Sequence, residues 1–201
     1  MKYAKPLGIS AATALFLTAV VTLMLGATSQ NSSMAGMNMP GMATGEMDMT
    51  SQLAGLEGES FEVGFMSMMI AHHQSATEMA QWILERTENP EITQAAQTII
   101  EEQETEIAQM TGWLQEWYGQ KPDAGMMNMV REMMGGMMQT MMDAEDPERA
   151  FLGGMSEHHD GAIDMAQLAL LQSTHPELRT LAQNIIVAQT KEIAQFQTWL
   201  D

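Results

Sequence analysis

Apolar residues recur at steps of three and four along most of the chain, the spacing of one face of an α-helix. One such stripe runs through Ile92, Ala96, Ile99, Gln103, Ile107, Met110 and Leu114. The alternation typical of strands is almost missing from Ser60 to Leu200. The pattern therefore predicts an all-α protein.

Three helix starts are marked by a capping residue type, a proline and an acid. They are Asn89-Pro90-Glu91, Asp146-Pro147-Glu148 and His175-Pro176-Glu177. We expect helices over 60–88, 90–118, 147–174 and 176–200, and for His175 only a capping role. A fifth, shorter helix should cover 126–142, beginning near Asp123 and weakened at Gly135-Gly136.

The chain contains a duplicated unit. Residues 65–114 match 151–200 at a constant offset of 86 without a gap, and 22 of the 50 positions are identical. Each copy predicts a helical hairpin, about 61–118 and 147–201, and two stacked hairpins predict a four-helix bundle. The Met-rich stretch 123–143 would be an extra crossover helix.

The N-terminus has the composition of an export signal. Lys2 and Lys5 precede the apolar run Leu7–Ala27, and small residues follow, so 1–29 is predicted as a signal peptide. An uncleaved run could instead anchor the chain in a membrane. The mature protein is expected in the periplasm or outside the cell. Residues 30–58, rich in methionine, predict a flexible linker, and 59–201 the bundle domain.

Charge and composition narrow the chemistry. Without Lys2 and Lys5, 6 basic residues face 26 acidic ones, so nucleic acid is not an expected partner. The chain has 24 methionines, 5 histidines and no cysteine. Thioethers favour Cu(I) and imidazole accepts Cu(I) or Cu(II), so these donors predict copper binding, with Ag(I) following the Cu(I) sites.

Both repeats keep the pattern Met-x-x-His-His-x-x-Ala-x-x-Met-Ala. On a helix, Met69 and His72 share one face with Met79, as do Met155 and His158 with Met165. His73 and His159 should point about 100° away, toward solvent or the crossover helix. The alternative for the methionines is core packing, because this side chain adapts to gaps.

The crossover carries nine methionines in seventeen residues. Positions 126, 129, 133, 137 and 141 would form one stripe, and positions 127, 134, 138 and 142 another. If this helix packs over a histidine doublet, its thioethers could complete a site begun by Met69 and His72. A core or partner-binding role is the alternative.

With these motifs in view, the chain resembles the CopM-like periplasmic copper-binding proteins. They belong to a ferritin-like family that is called domain of unknown function 305. The stretches HHQSATEMA and HHDGAIDMAQLAL carry the resemblance, which covers about Ser60 to Asp201. It implies a helical bundle and copper binding outside the cytoplasm in copper tolerance. The candidate metal ligands are then Met66, Met68, Met69, His72, His73, Met79, Met126, Met129, Met155, His158, His159 and Met165.

Three functions remain open at this point. The leading one is a non-enzymatic protein that sequesters copper ions, with a copper efflux or carrier protein as a partner. The others are a metallo-oxidoreductase acting on copper, as a cupric reductase or cuprous oxidase, and a Met-rich docking module. A di-iron site is not expected because no Glu-x-x-His occurs. The matched carboxylates Glu106 and Glu192 are assigned to the helix surface or to N-terminal support of the bundle.

Overall fold

The computed structural model describes residues 49–201, in which six helices and no strands occur. The helices are α1 (Met49–Leu53), α2 (Gly58–Leu84), α3 (Pro90–Tyr118), α4 (Ala124–Met142), α5 (Pro147–Gln172) and α6 (Pro176–Leu200). None of these helices has the length and apolarity needed to cross a membrane. The all-α prediction is confirmed. The predicted signal peptide and residues 30–48 of the predicted linker lie outside the described part.

The helix starts follow the predicted caps with one exception. The side chain of Asn89 accepts a hydrogen bond from the backbone N–H of Glu91, and that of Asp146 from Arg149. Asp123 caps α4 in the same way. His175 occupies the N-cap position of α6, but its side chain makes no capping bond. His175 therefore stands at the predicted cap position but does not cap the helix through its side chain.

Two helices end earlier than the sequence pattern suggested. Helix α2 ends at Leu84 instead of residue 88, and α5 ends at Gln172 instead of residue 174. In both cases the chain must turn and enter the next helix through an extended residue, because the position before a proline disfavours the helical region. Asn89 and His175 are those extended residues.

The bundle is built from the two predicted hairpins. Helices α2 and α5 pack against each other, α3 lies against α2, and α6 lies against α5. The crossover α4 packs on both α2 and α5. Met126 lies against Gly64, and Met141 meets Met79 beside Gly154. Because the start of α4 meets the start of α2 and its end meets the end of α2, the two helices run parallel.

Helix α4 is continuous through Gly135-Gly136, so the low helix propensity predicted at its middle does not break it. The glycines lie on the exposed side, while Met134 and Met137 on either side of them are buried. Packing of those side chains offsets the roughly 1 kcal/mol that each glycine costs a helix relative to alanine. The neighbouring helices therefore hold α4 together where its own propensity is weakest.

The two predicted methionine stripes of α4 lie on either side of its buried face. The buried face runs through Val130, Met134, Met137 and Met141, and so takes residues from both stripes. The methionines at the edges of this face are half-buried. They are Met126, Met127, Met129, Met133 and Met138. Val130 belongs to this buried face although it is not a methionine, so a pattern of methionines alone does not include it.

The end of the predicted flexible linker is a packed helix. In α1, Met49 and Leu53 are one turn apart and both are buried, at 2% and 0% exposure. Helix α1 contacts α5 and, to a smaller extent, α2. Residues 49–53 therefore belong to the folded domain, contrary to the expected boundary at 58.

The apolar core has two halves. The first core half contains Phe61, Phe65 and Met69 of α2 with Met165 of α5. The second core half contains Met79 of α2, Phe151 and Met155 of α5, and Phe196 of α6. The histidine doublets of α2 and α5 fall between these segments in both helices. The repeat therefore places one core half on each side of the histidines.

Reciprocal hydrogen bonds join the two hairpins at their turns. Ser173, in the α5–α6 turn, donates to Oε1 of Glu62 at 2.6 Å. At the equivalent positions 86 residues away, Thr87 of the α2–α3 turn donates to Oε1 of Glu148 at 2.6 Å. Each turn is thus attached to a carboxylate of the other repeat.

Glu62 is the more elaborate of these two anchors, because it is fully buried. It accepts hydrogen bonds from the backbone N–H and hydroxyl of Thr174, at 2.6 and 3.1 Å, and from the hydroxyl of Tyr118. Nδ1 of His175 lies 2.7 Å from its Oε2, and the His175 ring stacks on Trp117 at 4.0 Å. One carboxylate therefore ties together α2, the end of α3 and the α5–α6 turn.

The charge on Glu62 is stabilised by these donors. Burial alone would raise its pKa, but hydrogen bonds from Ser173, Tyr118 and His175 outweigh burial and lower the pKa from 4.5 to about 2. The folded state thus prefers the ionised carboxylate. Its contribution to stability is complete above pH 4.5 and is lost as the pH falls toward 2.

We expect Glu62→Gln to lower the free energy of unfolding by about 2 kcal/mol at neutral pH, because a buried charged acceptor of several hydrogen bonds is lost. Urea unfolding followed by circular dichroism measures this change. Glu57→Gln, at an exposed residue without a side-chain capping bond, is the control. The difference between wild type and Glu62→Gln should shrink as the pH falls from 4.5 to 2. A difference that is constant with pH would contradict the assignment.

Replacing both Gly135 and Gly136 by alanine should stabilise the protein by about 1–2 kcal/mol, because alanine is the better helix former. An added Cβ at either position meets no atom within 4 Å. The measurement is the shift in thermal unfolding of the double variant. A lower melting temperature would show that the glycines are required for another reason.

Candidate metal centre

Four imidazole rings form a row through the middle of the bundle. His72 of α2 and His158 of α5 meet at its centre, with ring centroids 3.7 Å apart and planes inclined by 42°. His73 lies 6.4 Å from His72 on one side, and His159 lies 6.2 Å from His158 on the other. We call this arrangement the imidazole row. The pseudo-twofold relation between the repeats brings the two doublets face to face.

A carboxylate stands at each end of the imidazole row. Nε2 of His73 lies 2.6 Å from Oε2 of Glu106 on α3. Nε2 of His159 lies 2.7 Å from Oε2 of Glu192 on α6. The Glu106 contact has hydrogen-bond geometry, whereas the Glu192 contact satisfies the distance but leaves His159 Nε2 without a directed hydrogen bond. The surface role expected for both carboxylates is therefore wrong.

All four imidazoles are buried, at 1% exposure or less. This corrects the expectation that His73 and His159 point toward solvent or the crossover helix, since they face α3 and α6 instead. Seven of the eight ring nitrogens have no hydrogen-bond partner within the described residues. Such an accumulation is unusual because burying a polar atom without a partner is costly.

Burial also controls the charge of the two central rings. The pKa of His72 lies well below its ordinary value of 6.5, first because of burial and then because a charge on His158 or His73 would repel its own. The pKa of His158 is lowered by burial and by His159 and His73. Both rings are therefore neutral at neutral pH. Neutral imidazole is the form that binds metal ions.

A groove of about 450 Å³ between α3 and α6 reaches one end of the imidazole row. Glu192 lines it together with Glu102. The pKa of Glu102 is raised by partial burial and then by the charges of Glu192 and Glu106, so acids from both helices meet here. The groove connects Glu192, and through it His159, with solvent.

The predicted methionines divide into two groups by their distance along the helices. Met68 and Met69 lie one helical turn before His72, and Met155 lies one turn before His158; all three are fully buried. Met79 and Met165 are seven residues beyond His72 and His158, about 10 Å along the axis at 1.5 Å per residue. Met66 is six residues before His72. These three are also fully buried in the core.

Two predicted ligands on α4 lie on the helix that packs across α2. The side-chain end of Met126 contacts α2 at Gly64, eight residues before His72. Arg131, two residues after Met129, donates a hydrogen bond to Gln74, two residues after His72, at 3.0 Å. Met129 is therefore close to the level of the imidazole row along the helix axis. The ligand roles of Met126 and Met129 stay predictions.

Sequence reasoning missed three residues at this centre. Glu106 and Glu192 were visible as matched carboxylates of the repeat, but a helical pattern could not show that they face the doublets. Met49 was assigned to the linker, yet it lies beside Gly161 and His72. Little in the sequence indicated this position. Met49 is one of six methionines in the polar segment 30–58, and no helical spacing distinguishes it from the other five.

Comparisons with known proteins agree with this architecture. The family profile of the domain of unknown function DUF305 matches residues 13–111 and 62–200. The structure of CopM in the Cu(II)-bound form aligns at a TM-score of 0.60 and 31% identity, covering 69% of this chain and 96% of CopM. CopM structures in Cu(I)-bound and Ag-bound forms match similarly, at 31% and 32% identity.

Two further relatives extend the comparison. A DUF305 fragment from Deinococcus radiodurans aligns at a TM-score of 0.61 and 32% identity, covering 69% of this chain and 94% of the fragment. The uncharacterized protein L153 of Acanthamoeba polyphaga mimivirus is 42% identical over 52 residues, which is 26% of this chain and 34% of that protein. The chain thus spans about a third of the length of L153.

The duplicated hairpins, the paired histidine doublets and the extent of the profile match all lead to one assignment: the chain belongs to the DUF305 family.

Proposed function

We propose that this protein binds copper ions, as Cu(I) and also as Cu(II), through imidazole and thioether ligands and thereby sequesters copper outside the cytoplasm. It would act in copper tolerance and homeostasis as a non-enzymatic binder. Ag(I), a soft monovalent ion like Cu(I), would occupy the same thioether sites. Copper is here the cargo, and an efflux or carrier protein would be the partner that receives it.

The observation that carries the proposal is the set of seven buried ring nitrogens without hydrogen-bond partners in the imidazole row. A protein core built only for stability would fill these positions with apolar side chains, because an unpaired buried polar atom destabilises the fold. Coordination to a metal ion would satisfy such nitrogens. Similarity to CopM, whose structures contain Cu(I), Cu(II) and Ag, supports the choice of metal.

The composition of the surroundings favours a soft ion. Within residues 49–201, no three histidine, aspartate or glutamate side chains converge closely enough to hold a metal ion. A complete ligand set at the imidazole row therefore needs another donor. Thioethers are at hand one turn away, with Met68 and Met69 before His72 and Met155 before His158. Mixed thioether and imidazole ligation retains copper in either oxidation state.

The low pKa values of His72 and His158 extend the range of binding. Protons compete with metal ions for imidazole nitrogen, and an ordinary histidine loses affinity as the pH falls through about 6.5. Because burial keeps these two rings neutral well below that value, metal binding at the centre of the row should persist into mildly acidic solution.

Sequestration accounts for the number of donors better than delivery of a single ion does. The described residues contain two His–Glu ends, the central imidazole pair and methionines in both core halves. A chaperone for one ion needs only one defined site. Export outside the cytoplasm rests on the predicted signal peptide, residues 1–29.

The double variant His72→Ala with His158→Ala should lose Cu(II) affinity by at least tenfold, a cost typical of even a second-layer change at a metal site. Its loss of Ag(I) affinity should be smaller, because thioethers still bind silver. Titration calorimetry of the mature protein with each ion measures both. The matched control replaces the exposed pair Gln81 and Gln167 by alanine. Equal losses for the two ions would contradict the division between imidazole and thioether.

We further expect Glu106→Gln with Glu192→Gln to weaken Cu(II) binding by about 10- to 100-fold, because these carboxylates orient His73 and His159. The control is Glu101→Gln with Glu104→Gln, which removes the same charge from exposed positions of α3. Competition with a chromophoric chelator gives the affinities. If both pairs weaken binding equally, the effect is one of overall charge and the orienting role is excluded.

A further inference from the structure

Met49 brings a thioether from the N-terminal Met-rich segment into the interior of the bundle. It lies in α1, outside both repeats, and is 2% exposed. Helix α1 packs mainly on α5, the helix that carries His158. Apolar burial alone would be served as well by leucine, the residue that stands one turn later at position 53. What distinguishes Met49 is the position of its side-chain end.

Gly161 shows what that end touches. This glycine is three residues after His158 on α5, so both lie on the same side of the helix. A Cβ atom at Gly161 would be 2.8 Å from Cε of Met49 and 3.5 Å from Nε2 of His72. The methyl end of the thioether and this ring nitrogen therefore lie against the same patch of α5 backbone. No side chain stands there to separate them.

Two imidazoles and the methyl end of one thioether meet at this point, from three segments of the chain. His72 Nε2 is buried and has no hydrogen-bond partner. The ring of His158, with both nitrogens also unpartnered, is 3.7 Å from that of His72. Met49 supplies the sulfur that the two imidazoles lack. Two imidazoles and one thioether suit a soft monovalent ion in a low-coordinate site.

Building on the proposed function, we infer that Met49 is a ligand of the central copper site, together with His72 and His158. The site takes Cu(I) or Ag(I), and the N-terminal segment closes it by docking α1 onto α5. Gly161 is the residue that makes room for the thioether.

The two repeats differ at the position that matters. The counterpart of Gly161, 86 residues earlier, is Ser75, which carries a side chain. The space that admits Met49 beside His72 is thus specific to the second repeat. The pseudo-twofold bundle accordingly holds one such three-donor site and not a symmetric pair.

The first test removes the sulfur while keeping the shape. Met49→Leu should lower the affinity for Cu(I) at the tightest site by about tenfold or more, as measured by competition with a Cu(I)-specific chelator. Met110→Leu, at a fully buried methionine of α3, is the matched control and should leave this affinity unchanged. X-ray absorption at one equivalent of Cu(I) should show one sulfur and two nitrogens in the wild type, and the sulfur should disappear in Met49→Leu.

The second test keeps all three proposed ligands but prevents the side chain of Met49 from reaching the site. Gly161→Ala places a methyl group 2.8 Å from the end of a flexible side chain, so Met49 must move away while the helix remains intact. It should reproduce the loss of affinity seen in Met49→Leu. Gly153→Ala is the control on the same helix, because a Cβ there meets nothing within 4 Å. Thermal unfolding of the apoproteins checks that both variants are folded.

Methionine-methyl NMR separates the possible results. In the wild type titrated with Ag(I), the Met49 methyl signal, assigned from its loss in Met49→Leu, should shift together with the His72 ring signals during the first equivalent. Tight binding by the wild type with unchanged affinity in Met49→Leu and Gly161→Ala would overturn the role of Met49 and leave the proposed function standing. Absence of Cu(I) binding by the wild type would overturn both.

Discussion

The burial of four imidazoles between two apolar core halves is the constraint on which this molecule depends. Polar rings without hydrogen-bond partners destabilise a fold at this depth, and each apolar half would be more stable if it continued without a break. The bundle accepts the cost at one level and supplies a carboxylate at each end of the row. An interior that contains several imidazole nitrogens without hydrogen-bond partners is suited to bind an ion.

Duplication explains how a short motif builds a centre of this size. One helix carrying adjacent histidines presents two rings, and stacking it against its own copy presents four in a line. The same duplication gives the two turns equivalent hydrogen bonds, from Ser173 to Glu62 and from Thr87 to Glu148. The symmetry is not complete, because Glu62 collects the additional partners Tyr118, Thr174 and His175. The two repeats therefore differ in how firmly their turns are attached.

Methionine has two physical uses here, and burial shows how they combine. Its flexible thioether fills irregular space, which suits the core and the inner face of α4. The same sulfur is a soft ligand, and this property becomes relevant where a side chain reaches an unpaired nitrogen. Met69 and Met155 flank the row from opposite core halves, while Met79 and Met165 are seven residues beyond the histidines and pack in the same two core halves. Abundance of methionine in the sequence therefore does not by itself show which thioethers lie beside the histidines.

The sequence determined the helices, the two hairpins and the doublets. Periodicity and proline-marked helix starts depend only on neighbouring residues, and an ungapped repeat is found by comparing the sequence with itself. Only tertiary structure decided that Glu106 and Glu192 face the histidines, that Met134 and Met137 form the buried face of α4, and that Met49 joins the domain. These facts depend on how helices distant in sequence are rotated and aligned against one another. A helical pattern fixes which residues share a face, whereas packing between elements decides what that face meets.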